Sequence, residues 1–261
     1  MQAILNIGIR AARRGGAVLL RERSRLVVNA SEQSFDKLES QVKWVMHAIV
    51  QKAYPDHAID AVDGTADVVW HMAIDGFANL VRDIPHAAIV ILIKQQRRSQ
   101  HALIYDPYTD EIFTATAGTA GQCNDYRLRV SCCYSFKNAI LSTSLLQGKQ
   151  LNQAGADMLA QLNAEGAAFY HQGCPALSLA YVAAGRIDAF FACALEKTII
   201  DAGVLLVNAA GGLSGDWQGG HLHAQKMQLV AANAKLFRVL LPYLRGVDSG
   251  RHSVEFSLTN R

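Results

Sequence analysis

A chain of 261 residues, 51% hydrophobic and 18% charged, can bury a sizeable core, and that balance excludes the apolar-poor composition of disordered chains. The net charge of +3 includes no long Lys/Arg block, which argues against direct nucleic-acid binding. The apolar run Ala87–Ile93 has seven residues where a membrane span needs roughly 20, and Arg10, Arg13 and Arg14 interrupt any signal-peptide core, so a cytoplasmic protein is expected.

Ile4, Ile7, Gly8, Ala11, Gly15, Val18 and Leu19 recur at three- and four-residue steps, which predicts an opening amphipathic helix with arginines on its wet side. A second helix is expected from about Leu38 to Ala53, ending at Tyr54-Pro55 because the residue before proline resists the α region. His86–Ile93 reads as a central strand and Gln95–Gln100 as a polar turn. Ala102–Tyr105 and Glu111–Thr116 are strands on either side of the Asp106-Pro107 turn. Beyond Gly148, helical patterns at Ala154–Leu162, Leu177–Ala184 and Ile200–Ala209 alternate with short strands at Ala189–Ala192 and Leu229–Ala231, an order that favours α/β layers. The polar stretch Gly246–Arg261 reads as a flexible tail. Cys123, Cys132, Cys133, Cys174 and Cys193 form neither an even set nor a CxxC pair, against a disulfide framework or zinc site, and Cys132-Cys133 reads as two packed thiols. His221 and His223 share a face but lack a third ligand.

Several stretches together resemble the inositol monophosphatase superfamily in its bacterial SuhB type. Leu5-Asn6-Ile7 with Arg10-Ala11-Ala12-Arg13 is similar to that type's first helix, and Tyr54-Pro55-Asp56-His57 to its "YPxH". Asp75-Gly76-Phe77-Ala78-Asn79-Leu80 and Pro85-His86 resemble "DGTTNF…PH". Ala176–Phe191 stands beside "GSAALDLAYVAAGRxDGFF", and Ala210-Gly211-Gly212 beside "EAGG". The matches run in order over residues 1–245. The resemblance implies an α/β fold, an αβαβα sandwich of the inositol monophosphatase and fructose-1,6-bisphosphatase type. It would form one unit with an N-terminal α+β half over about 1–145 and a C-terminal α/β half over about 146–245, the tail following at 246–261.

The resemblance also implies magnesium-dependent hydrolysis of phosphate monoesters, in which acidic residues hold the metal and the metal activates water. Carried over position by position, the family's site falls on Lys43, Asp63, Met72, Ile74, Asp75, Gly76, Phe77 and Ile199. Lys43 stands where a helix-two Asp belongs, Val62 and Asp63 replace a Glu-Glu pair, Met72 replaces the first Asp of "DPxDGT", and Thr198-Ile199 replace "WD". Asp201 lies two residues off register. A magnesium site needs several converging oxygen donors, which this set lacks. No metal and no cofactor are expected, and any residual site would use Asp75, Asp63 and Asp60.

Two alternatives stay open. Ile59–Asp67 imitates "IDPVDGTTN", so Asp63-Gly64 competes with Asp75-Gly76 for the metal loop, and an active magnesium-dependent phosphatase could use Asp60, Asp63, Asp67 and Asp75. Asp75 could instead be a helix N-cap. The amides of Gly76, Phe77 and Ala78 could then attract an anion at the helix start. The leading expectation is a degenerate homologue with weak or no phosphatase activity, a regulatory or protein-binding scaffold and homodimer. The resemblance implies transcription-related partners.

Overall fold

The computed structural model describes residues 2–28, 32–62, 66–146, 151–222 and 228–249. Two helices, α1 (Gln2–Val28) and α2 (Glu32–Ala53), pack side by side as the outermost layer. Beneath them lies a seven-stranded sheet in sequence order. Its strands are β1 (Ala58–Ile59), β2 (Val68–Asp75), β3 (Ala88–Gln95), β4 (Arg98–Asp106), β5 (Glu111–Thr116), β6 (Gln122–Cys123) and β7 (Tyr126–Arg127). All neighbours run antiparallel except β1 and β2. One helical turn, α3 (Phe77–Leu80), leaves the end of β2.

A second sheet has the order β11-β12-β10-β8-β9, built from β8 (Ile140–Thr143), β9 (Ala168–Phe169), β10 (Ala189–Cys193), β11 (Leu213–Gly215) and β12 (Gln228–Ala232). Helices α5 (Pro175–Ala183) and α6 (Lys197–Ala209) fill the space between the sheets, while α4 (Gln153–Ala164) and α7 (Ala234–Ser249) cover the far side. The result is an αβαβα sandwich.

Strand alternation explains how five layers hold together. In β3, Ala88, Val90 and Leu92 face α5 and α6, whereas Ile89, Ile91 and Ile93 face α1 and α2. Both faces of this strand are dry, so its sequence is continuously apolar rather than alternating. Phe190 and Ala192 of β10 likewise join the central layer, and Phe191 and Cys193 the outer one. Each fully buried Ile or Phe adds about 1.5–3 kcal/mol. The two central helices cross at Gly203, where a Cβ would stand 2.2 Å from Leu179 Cδ1, so only glycine allows this approach.

The element boundaries differ from expectation in instructive places. Helix α2 begins at Glu32, six residues before the expected Leu38, because Phe35 joins the α1 side of the core and extends its apolar stripe. The polar stretch at Gln95–Gln100 is mostly strand; the turn itself shrinks to Gln96-Arg97, both in the left-handed region (φ 50° and 65°), as a tight hairpin requires. Helix α7 continues through Gly246 to Ser249, into the expected tail, and residues 250–261 lie outside the described set. Among the described residues no helix is long and apolar enough to cross a membrane. All five cysteines are free thiols.

Candidate functional site

The end of β2 meets the start of α5, and Phe77, two residues beyond β2, meets α2. Asp75 is the last residue of β2. Its Oδ1 accepts the Gly76 amide (2.8 Å), and its Oδ2 accepts the Ala176 amide (2.7 Å) and the Cys174 thiol (3.3 Å). The carboxylate therefore caps α5, a helix whose own N-cap, Cys174, supplies no side-chain acceptor. Capping was foreseen for Asp75, but of the helix that follows it in sequence; the helix it serves begins a hundred residues later. Burial pushes the Asp75 carboxyl above the usual carboxylate range, opposed by the three donors.

Gly76 itself caps α3 with φ 92°, and a Cβ there would sit 2.8 Å from the His86 carbonyl oxygen. Anion binding at Gly76, Phe77 and Ala78 finds little support, because α3 is a single turn of four residues and the Gly76 amide is already taken by Asp75. Phe77 packs against Phe35 of α2 with ring centroids 4.4 Å apart. Asn79 donates to the carbonyls of His86 and Gln172, both at 2.7 Å, tying this corner to the approach of α5.

The acid two residues off register, Asp201, lies on α6 facing β3. It holds the buried ammonium of Lys94 at 2.9 Å and that of Lys197 at 2.7 Å. Ile199 is buried in the central core, and Met72 and Ile74 in the α1 and α2 core. None of these three side chains carries an oxygen.

Lys43 lies on α2 with Nζ 2.9 Å from Glu39 and 3.9 Å from Asp60. Burial alone would lower its pKa, but the Glu39 hydrogen bond and the attraction of Asp60, Glu39 and Glu196 outweigh that, and the ammonium titrates above its ordinary value. Asp60 follows β1 with φ 48° and accepts the Met72 amide at 2.8 Å, with His47 Nε2 at 3.2 Å. Burial opposes its ionisation, yet His47, the Met72 amide and Lys43 together hold the carboxyl below its usual range. Glu196, at the N-cap of α6, is pushed up by desolvation and lies in the field of Lys43, Glu39 and Asp75. Glu39, His47 and Glu196 were not singled out from sequence. The four-residue step from Glu39 to Lys43 was a readable signal; the approach of Glu196 was not.

The four-acid alternative does not assemble. Asp67 and Asp75 flank β2 at opposite ends, eight residues apart, which at the rise of a strand is about 26 Å. Asp63 and Gly64 lie outside the described residues, as does His223. Among the described residues no three His, Cys, Asp or Glu side chains are placed to share a metal ion. The described donor set does not fit magnesium: Asp75 is spent on an α5 cap, Asp60 on an amide, a histidine and a lysine, and Lys43 adds a positive charge.

Comparison with known proteins decides the family. The model of the inositol monophosphatase family matches residues 1–248. This chain belongs to that family. It is 36% identical to the Nus factor SuhB of Pseudomonas aeruginosa, over 92% of this chain and 95% of the relative. It is 35% identical to the Nus factor SuhB of Escherichia coli, over 94% of this chain and 97% of the relative. Its structure resembles that of the extragenic suppressor protein suhB from Bartonella henselae with a TM-score of 0.81 at 27% identity, covering 93% of this chain and 99% of that one. Membership accounts for the layered sandwich.

Proposed function

We propose that this chain is a degenerate member of its family, with weak or no magnesium-dependent phosphatase activity, acting as a regulatory, protein-binding scaffold and homodimer. One observation carries the reading: a lysine ammonium stands 3.9 Å from Asp60, and the carboxylate that ends β2 is consumed in capping α5. Hydrolysis of a phosphate monoester needs a Lewis acid or an equivalent concentration of positive charge on the ester oxygens, plus an activated water. One ammonium already bound to Glu39 and Asp60 offers neither a coordination position nor a base. That the similar SuhB proteins bear the name Nus factor supports transcription-related partners.

The test is a phosphate-release assay with purified protein, inositol 1-phosphate and millimolar magnesium. Release at the rate of a blank is expected. Turnover in the ordinary enzyme range, about 1 s⁻¹ or faster, abolished by Asp75→Asn, would show the site to be working and end this proposal.

A further inference from the structure

Charge is unevenly spread along this chain. Helix α1 carries six arginines, no lysine and a single acid, Glu22, a balance of +5 where the whole chain has +3, so the residues outside α1 are net acidic. The helical repeat sends Arg10, Arg14 and Arg21 to one exposed face about 16 Å long, with Ala17 between them. Arg13, at the edge of that face, is 3.3 Å from Asp110, and Arg21 is 2.8 Å from Glu22, yet both arginine side chains stay more than half exposed. Among the described residues no acid pairs with Arg10 or Arg14. Arg10, Arg13 and Arg14 line an open groove of about 520 Å³ with Ile9 and Ala17. Arg21 lines a second, of about 460 Å³, between α1 and α2. Trp44 lines it too, 72% exposed where Trp70 and Trp217 are fully buried. Arginine and tryptophan are the residues that most often anchor protein contacts, and a guanidinium matches a carboxylate with two parallel hydrogen bonds.

We propose that the outer face of α1 from Arg10 to Arg21, with Trp44 of α2, docks an acidic segment of a partner protein, its carboxylates on the guanidinium groups and an apolar side chain over the indole. This gives the class of partner for the scaffold reading and rests on the partner-binding half of it. Three or four guanidinium groups neutralise too few phosphates for firm nucleic-acid binding, and a net acidic remainder adds no attracting field. A membrane surface fits no better, because Ala11, Ala12, Val18 and Leu19 on the apolar side of α1 are buried in the core and leave nothing to insert.

The probe is a synthetic peptide of about twelve residues, rich in glutamate with one leucine near its middle, long enough to cover the face as a helix. It is titrated into the full-length protein while the emission of Trp44 is followed, and again with a fluorescent label on the peptide. Saturable binding with a blue shift of the Trp44 emission is expected, weakening between about 0.1 and 1 M salt as the screening length falls from about 10 to 3 Å. Arg10→Gln/Arg14→Gln should weaken it about tenfold, and Trp44→Ala by a similar factor read from the label. These side chains are exposed, so the variants should melt with the parent. Arg98→Gln/Arg238→Gln removes equal charge from exposed positions on β4 and α7 and should change affinity less than about twofold. An equal loss from that control, or no binding by the parent, would overturn the inference. Tighter capture of a single-stranded RNA of about twelve nucleotides or of phosphatidylserine vesicles would also overturn it, by giving the face to another class of partner. An altered oligomeric state in Arg10→Gln/Arg14→Gln would do the same, by giving the face to a second copy. None of these residues belongs to the candidate site, so phosphate release by the parent would end the degenerate-enzyme reading alone, and indifference to the peptide this inference alone.

Discussion

The Lys94–Asp201 pair allows a sharp test of how charge is managed between the first sheet and α6. Lys94 lies on the α6 side of β3, with its side chain only 6% exposed, and its ammonium is 2.9 Å from Asp201, itself 21% exposed. At an effective dielectric of about 20 the attraction across that distance is roughly 6 kcal/mol before desolvation is counted. Asp201→Ala removes the attraction but leaves the ammonium buried. Breaking a buried pair in this way costs about 3–5 kcal/mol. Since Lys94 does not depend on Asp201 alone and alanine favours the helix, the low end, about 3 kcal/mol, is expected. Lys94→Met removes the buried charge along with its partner's need for it. Asp201 keeps Lys197 at 2.7 Å, and stability should stay within about 1 kcal/mol of the parent. In thermal unfolding, where 1 kcal/mol moves a domain of this size by roughly 2–4 °C, Asp201→Ala should fall by about 6–12 °C and Lys94→Met by no more than about 4 °C. Equal losses for the two variants would mean that mutual attraction, and not the desolvation of Lys94, dominates the pair.

Two further outcomes follow from the central layers. Burial raises the Asp75 carboxyl in the fold, whereas in the unfolded chain the group titrates near about 3.9. The stability it contributes is therefore fully present below the unfolded value and is lost as pH rises through the folded one. Urea unfolding should show Asp75→Asn gaining on the parent between about pH 4 and neutrality, and a gap that stays constant or moves the other way would contradict a raised carboxyl. At the crossing of α5 and α6, Gly203→Ala should destabilise by about 1–3 kcal/mol despite a helix-propensity gain of about 1 kcal/mol, because its Cβ would overlap Leu179. Calorimetry showing an unchanged or higher melting temperature would refute that packing.

Local pattern in the chain was enough for the elements whose environment is uniform along their length. Glu111–Thr116 is legible as a strand to the residue, and Ala87–Ile93 as a doubly buried one, because period and burial both repeat within a few residues. The helix pattern of Ile4–Leu19 and the end of α2 before Pro55 were equally open to reading. The partners of the polar groups were not. Asp75 meets Ala176 across a hundred residues, Asp201 turns to Lys94, and Lys43 finds Asp60 through a connection that has no helical period. Sequence spacing dictates which face of a helix or strand a side chain occupies, since that follows from 3.6- and 2-residue repeats. Which group from another element waits opposite that face depends on how five layers stack, and only the folded arrangement decided that Asp75 caps α5 and that Lys43 pairs with Glu39 and Asp60.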